Sequence, residues 1–315
     1  MSVKINSFGG IATWFLRKRF SGLTSSIMLS VTARYYKKSI DQYIQWFHAQ
    51  ITPPLFYNVM IETINRCNGT CSFCPANVHD EKRPFQKMDK ETYLLIMEEL
   101  KNIHWKGKIY LNVNNEPLID VRISEFAKTA RKYLPNAQIA LISNGTLLNS
   151  EKIYELSNSG VNELVINDYG SSYRLSKNIK EIYKDIRKNA TRYKNISITI
   201  NRRYSKEILA TRAGSAPNKP RKNNHVNESC IYPYTDIVIF PSGKIGLCCN
   251  DCYEITDYGK ISEKSLVDIW RGQELQQIRF AMKGGRMSLG FCQECDVVDA
   301  GGRERYIKSM INKIK

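Results

Sequence analysis

The chain has 315 residues, nine of them cysteine, and a formal net charge of +17. It is long enough to bury a large core with a smaller unit beside it. An odd number of cysteines, grouped at metal-ligand spacings and with no secretory signal, argues against a disulfide framework and for a reducing, cytoplasmic setting.

Residues 1–52 read as a basic helical segment. Arg17, Lys18, Arg19, Arg34, Lys37 and Lys38 interleave with Trp14, Phe15, Leu16, Phe20, Ile27, Met28 and Leu29, and no acid precedes Asp41. Such a segment can lie peripherally on an anionic membrane surface, or pack as a helical cap on the rest of the fold. It faintly resembles an organelle transit peptide, without an evident cleavage site. The basic triplet leaves too short an apolar run for a spanning helix.

From residue 53 to 212, strand-like and helix-like runs alternate. The strand candidates are Phe56–Thr63, Lys108–Val113, Gln138–Ser143, Glu163–Ile166 and Ile196–Ile200; the helix candidates are Asp89–Ile103, Val121–Tyr133, Ser150–Ser159 and Leu175–Lys194. This alternation predicts an α/β fold of parallel strands joined by right-handed crossovers, with ligands at the carboxyl ends of the strands. Residues 171–222 hold fifteen basic residues against three acidic ones. They read either as a solvated helix face or as a field that concentrates an anionic ligand.

Residues 213–229, rich in Gly, Pro and Asn, form a linker. A second unit over residues 230–300 starts with a hairpin, Ile237–Phe240 and Ile245–Cys248 joined through Pro241-Ser242-Gly243-Lys244. A helix from Leu266 to about Met282 follows, and residues 301–315 are a basic tail.

The cysteines carry the chemistry. Cys67, Cys71 and Cys74 form a C-x3-C-x2-C array in the loop leaving the first strand candidate. Three thiolates can hold a cubane iron–sulfur cluster by three of its four irons and leave one iron open to a small molecule. Zinc is the alternative occupant, although zinc sites usually show two C-x2-C pairs.

The stretch Ile64–Pro75 resembles the cluster loop of the radical S-adenosylmethionine (radical SAM) enzymes, in which the open iron chelates the methionine part of SAM. The resemblance runs over roughly Phe56–Arg212 and implies a partial (β/α)6 barrel with a [4Fe-4S] cluster on Cys67, Cys71 and Cys74. Phe73 matches the aromatic position beside the adenine. Asn114-Asn115-Glu116-Pro117 stands where the family shows Gly-Gly-Glu-Pro near the SAM ammonium. Ser143-Asn144-Gly145-Thr146 resembles the segment near the ribose, and Asn167-Asp168-Tyr169-Gly170 is placed to face SAM or substrate.

The second unit resembles the SPASM/twitch modules of the same enzymes, down to the Gly243-x4-Cys248 spacing and the Ile269-Trp270 pair. It looks closest to the shorter type, with one auxiliary [4Fe-4S] cluster on four cysteines, as in radical SAM aminocyclitol dehydrogenases. By position the ligands are Cys230, Cys248, Cys292 and Cys295. Cys249 is then a buried thiol or a hydrogen-atom donor to a substrate radical, and Cys252 has no assigned role. Arg212, in an Arg-Ala-Gly segment, is the candidate for holding a substrate hydroxyl or anion.

The resemblance implies an oxidoreductase, or an epimerase, acting on a sugar, aminocyclitol or nucleotide-linked sugar, with a low-potential electron donor such as flavodoxin or ferredoxin. A peptide maturase, an RNA-modifying enzyme and a non-catalytic iron–sulfur or zinc protein are the alternatives. No RNA-binding motif supports a nucleic-acid partner.

Overall fold

The computed structural model describes residues 3–6, 37–170, 174–219, 227–297, 306–307 and 309–310. Its strands are β1 (Val3–Asn6), β2 (Asn58–Ile61), β3 (Lys108–Tyr110), β4 (Gln138–Ser143), β5 (Glu163–Gly170), β6 (Ser197–Tyr204), β7 (Asp236–Ile239) and β8 (Ile245–Gly246). They form one sheet in the order β1-β6-β5-β4-β3-β2-β7-β8, parallel throughout except for antiparallel β8.

Helices α1 (residues 37–49), α2 (Lys90–Asn102), α3 (Ile123–Tyr133), α4 (Ser150–Asn158) and α5 (Lys177–Lys188) accompany the first six strands. Each of α2 to α5 presents an apolar stripe inward at helical spacing: Ile96, Met97 and Leu100; Phe126, Ala127 and Ala130; Ile153 and Leu156; Ile179, Ile182 and Ile186. These stripes pack in one core with Val59, Ile109, Ile139, Leu141, Leu164 and Ile198 of the strands. Side-chain caps set two of the starts: Asp89 accepts from the Thr92 amide and Asn149 from the Lys152 amide. Lys177, Lys180, Lys184, Arg187 and Lys188 are exposed, so the basic run of α5 is its solvated outer face.

The structure corrects the predicted outline in three places. The N-terminal unit is not purely helical, because β1 pairs with β6 at the far edge of the sheet. Of the residues behind the membrane-surface reading, Lys37 and Lys38 are exposed at the start of α1, and those from Trp14 to Arg34 lie outside the described residues. The helix α1 packs as a cap: Ile40, Tyr43, Ile44 and Phe47 are buried, and Phe47 meets Tyr234 edge-on at 5.2 Å. Among the described residues, no helix is long and apolar enough to cross a membrane.

Second, the hairpin of residues 236–246 is not a detached element. β7 adds to the free edge of β2 in register, Asn58 opposite Asp236 through Ile61 opposite Ile239, and the Asn58 amide donates to the Asp236 carboxylate at 2.8 Å. Periodicity within 236–239 shows a buried strand but not which edge it joins.

Third, the predicted helix over residues 266–282 is two helices, α6 (Leu266–Arg271) and α7 (Gln273–Met282), broken where Gly272 turns extended at ψ 155°. The break lets Arg279 fold back over the Trp270 ring at 3.9 Å and donate to the Trp270 and Pro233 carbonyls. Trp270, fully enclosed, donates to the Pro54 carbonyl and meets Phe56 edge-on, which ties the second unit to the entrance of β2.

Truncating Trp270 to Ala removes this tie and leaves a cavity. The expected cost is about 3–5 kcal/mol, read from the denaturant midpoint of Trp270→Ala against wild type. A loss below about 1 kcal/mol would mean that the two units do not share a core.

Candidate functional site

The loop that follows β2 is built from buried polar residues. Glu62, Thr63 and Asn65 are almost fully enclosed, and they lead into Cys67, Cys71 and Cys74. Asn77 braces the loop by donating to the Cys71 carbonyl at 3.2 Å, and the Val78 amide donates to the Gly69 carbonyl. A Cβ at Gly69 would lie 3.3 Å from the Cys67 sulfur and 3.9 Å from that of Cys71, so both thiols face the space this glycine leaves open. Burial pushes the thiols of Cys67 and Cys71 up to about 12, against a hydrogen bond from the Gly69 amide to Cys67 and the charge of Arg203 near Cys71.

The neighbouring strand ends converge on this loop. The carboxylate of Glu116, after β3, accepts from the Ser143 hydroxyl at 2.8 Å and the Asn144 amide at 2.7 Å, both at the end of β4. Burial raises its pKa against those bonds. Asn144 reaches back to Asn68 at 2.8 Å and lies 4.0 Å from the Cys67 sulfur. Asn115 spends its carbonyl on the Val113 amide, while its buried Nδ2 has no partner among the described residues. Phe73 is buried against Tyr169 of β5 at 5.4 Å, and Arg203 of β6 covers the same ring while paired with Glu207. Asn167 faces across to Asn201 on β6, whose amide it accepts at 2.9 Å.

Asn114 behaves differently from its neighbours. It turns toward the second unit, donating to the Asp251 carbonyl and accepting from Arg212 and from the Cys252 thiol. Arg212 is thereby tied to both units. Its Nε donates to the Cys252 sulfur at 3.0 Å and its Nη2 to the Cys249 carbonyl at 3.3 Å, and its charge is felt by Cys74. Burial opposes that charge, but the surrounding thiols hold its pKa above the ordinary value. Arg212 and Ala213 have left-handed φ of 49° and 51°, a strained pair of the kind that clusters at functional sites. They line a cleft of about 330 Å³ with Asp80, Lys82, Asp251, Cys252 and Tyr253. A larger hollow near Lys128 and Tyr154 is an open surface depression lined by none of the cysteines.

The second thiol set follows the same logic. Cys248, Cys292 and Cys295 are buried and Cys230 partly so, and Cys248 and Cys292 each lie in range of Cys230 and Cys295. Cys249 packs against the core beside the hairpin, whereas Cys252 leaves this set and faces Arg212. The side chain singled out in the sequence, Cys249, offers Arg212 its backbone carbonyl; the thiol at Arg212 is that of Cys252.

All nine cysteines are free. Among the described residues, no three ligating side chains converge closely enough for a single metal ion. Two groups of neighbouring thiols, buried or partly buried, one around Gly69 and one within residues 230–295, are donor sets of the kind that hold iron–sulfur clusters. The donor sets therefore suit a cluster on Cys67, Cys71 and Cys74 and a second on Cys230, Cys248, Cys292 and Cys295. The buried Asn115 Nδ2, without a partner, is a free donor beside the first set.

Missing from the sequence reading is Arg83. Its guanidinium is buried among three carboxylates, at 2.8 Å from Glu62, 2.8 Å from Glu81 and 3.1 Å from Glu254, and it donates to the Asn114 carbonyl. No local pattern marks it, because only Glu81 is near in sequence, while Glu62 and Glu254 come from distant segments.

The profile of the Radical SAM superfamily matches residues 61–204, and that of the SPASM iron–sulfur cluster-binding domain matches residues 230–296. An S-adenosyl-L-methionine-dependent 2-deoxy-scyllo-inosamine dehydrogenase from Niallia circulans is 24% identical over 253 residues, which are 80% of this chain and 97% of that protein. Among solved structures, BtrN in complex with AdoMet and 2-DOIA aligns with a TM-score of 0.70 at 24% identity, over 81% of this chain and 99% of that one. Selenomethionine BtrN in an open conformation aligns with a TM-score of 0.58 at 21% identity, over 78% and 94%.

The Arg83 cluster yields a pH-dependent test. Burial raises Glu62 to about 7 despite Arg83, so the stability tied to its protonated form is complete below the ordinary glutamate range and is lost as pH rises through about 7. Arg83→Met strands the carboxylates. It is expected to cost about 3–5 kcal/mol at pH 8 and clearly less at pH 6, where Glu62 holds its proton. Urea unfolding at the two pH values measures this, and an equal loss at both would contradict it.

Proposed function

The chain carries a radical SAM domain followed by a SPASM iron–sulfur cluster-binding domain, and from that premise we propose that it dehydrogenates an alcohol carbon of an aminocyclitol or a related sugar-like molecule. The observation that carries this reading is the position of Arg212. One guanidinium in one cleft lies in range of Cys74 from the three-cysteine set and bonds to Cys252 and the Cys249 carbonyl of the second unit. The relative from Niallia circulans, matched over 97% of its length, supports the substrate class.

When bound, SAM on the three-cysteine cluster supplies a 5′-deoxyadenosyl radical that takes a hydrogen atom from carbon, and the four-cysteine cluster supplies a place for the electron left behind. The chain's own residues do the rest. Arg212 presents a pre-oriented fork, held by Asn114 and Cys252, that can bind a substrate hydroxyl. Completing the ketone also requires a base for the hydroxyl proton. Of the two carboxylates lining the cleft, Asp251 accepts three hydrogen bonds, from the Ile255 and Thr256 amides and the Thr256 hydroxyl, whereas Asp80 accepts from the Asn77 side chain at one oxygen and is the candidate. Phe73, against Tyr169, is placed to exclude water beside the cysteine loop. Glu116, Asn144 and Asn115 are the SAM-side polar groups, with Ser143 fixing the Glu116 carboxylate. Asn167 belongs with them in this reading.

A cytoplasmic enzyme that takes electrons from a low-potential flavodoxin or ferredoxin accords with nine free thiols. A second reading, epimerisation, draws on Cys252, a thiol in the cleft able to return a hydrogen atom to carbon.

Anaerobic reconstitution is expected to load about eight irons. With an aminocyclitol deuterated at the reacting carbon, deuterium should appear in 5′-deoxyadenosine and the product should be a ketone. Replacing Cys67, Cys71 and Cys74 together by Ala should abolish 5′-deoxyadenosine and retain about four irons. Arg212→Ala should lower kcat/KM about a hundredfold, roughly 3 kcal/mol of transition-state stabilisation. Cys249→Ala and Cys252→Ala should retain ketone formation. Solvent deuterium fixed on product carbon, lost in either cysteine variant, would replace oxidation by epimerisation, and stoichiometric zinc without iron would sink both.

A further inference from the structure

Arg286 takes no part in the cleft, yet it is among the most deeply buried cations of the chain, 2% exposed. It opens a short 3-10 turn, Arg286–Ser288, after Gly285 in the left-handed region at φ 97°. From there its Nη1 donates to the Cys295 carbonyl at 3.1 Å. Its Nε is buried without a partner, and no carboxylate pairs with it among the described residues. The charges it feels are those of Cys230, Cys295 and Cys292.

A buried guanidinium without a counter-ion is costly, because desolvation is not repaid. The folded chain offers Arg286 the thiols and the Tyr232 phenol, all neutral while protonated. Those same thiols become anionic when they ligate iron. We propose that Arg286 is the built-in counter-charge of the four-cysteine cluster and raises its reduction potential. The argument rests on that four-cysteine reading. Reduction adds one negative charge to the cluster, and a fixed cation in a low-dielectric site stabilises the reduced form more than the oxidised one. The unpartnered Nε–H adds a donor for a sulfur of the loaded site. Arg286 is thus a positioning residue that makes the second cluster a better electron acceptor.

The test uses protein lacking the first cluster, with Cys67, Cys71 and Cys74 replaced by Ala, so that potentiometric EPR reads the second cluster alone. Arg286→Gln is expected to lower the electron affinity at least tenfold, 59 mV for a one-electron couple. Arg286→Lys, which keeps the charge, is expected to recover more than half of that loss. An unchanged potential in Arg286→Gln with four irons bound would overturn the proposal. So would an equal fall in both variants, since that is what a purely structural bond to Cys295 predicts. If Arg286→Gln fails to hold the cluster, Arg286→Lys decides alone: a potential nearer to wild type than one tenfold step supports the proposal, and a larger fall overturns it. Absence of a second cluster when Arg286 is intact would instead show that the four-cysteine reading itself had failed, and the proposal with it.

Discussion

The enclosed ion cluster of Arg83 is the constraint on which the site depends. Three carboxylates meet one guanidinium: its near neighbour Glu81 after the cysteine loop, Glu62 at the exit of β2 and Glu254 in the second unit. Glu62 also accepts the Asn114 amide at 2.9 Å, which joins the loop after β3 to the same point. Buried charges tolerate little slack, because a displaced partner leaves an unpaired ion in low dielectric. The cysteine loop, the Asn114 loop and residues 250–255 are therefore fixed relative to one another before any cofactor arrives.

The sheet makes this convergence possible. Parallel strands all end on one side, so the cysteine loop after β2, Glu116 after β3, Asn144 after β4 and Tyr169 on β5 share one rim. Adding β7 beside β2 brings the second unit to the same rim. Arg212 and Asn114 then bridge the two units through side chains, meeting Cys252 and the Asp251 and Cys249 carbonyls.

Much of this was legible in the chain. The helices α2, α3 and α4 are announced by the alternation of strand-like and helix-like runs, and the first cysteine set by its C-x3-C-x2-C spacing. What was hidden is non-local. β1 is four residues long and borrows its register from β6, and Arg83 looks like any loop arginine until its three partners fold around it. β3 ends at Tyr110 instead of Val113, because the Asn112 side chain accepts from the Ile142 amide in place of a backbone carbonyl. Cys249 and Cys252 are alike by composition; only the arrival of Arg212 from another segment separates their roles.

The pairing of β2 with β7 also orders events in time. Asn58 and Asp236 are 178 residues apart, so the edge of the strand that launches the cysteine loop stays unsatisfied until most of the chain has been synthesised. Contacts of such separation form late. Glu254, which completes the ion cluster around that loop, arrives later still. Until residues 236–254 are in place, the cysteine loop lacks both the neighbouring strand and the last carboxylate of the cluster that braces it.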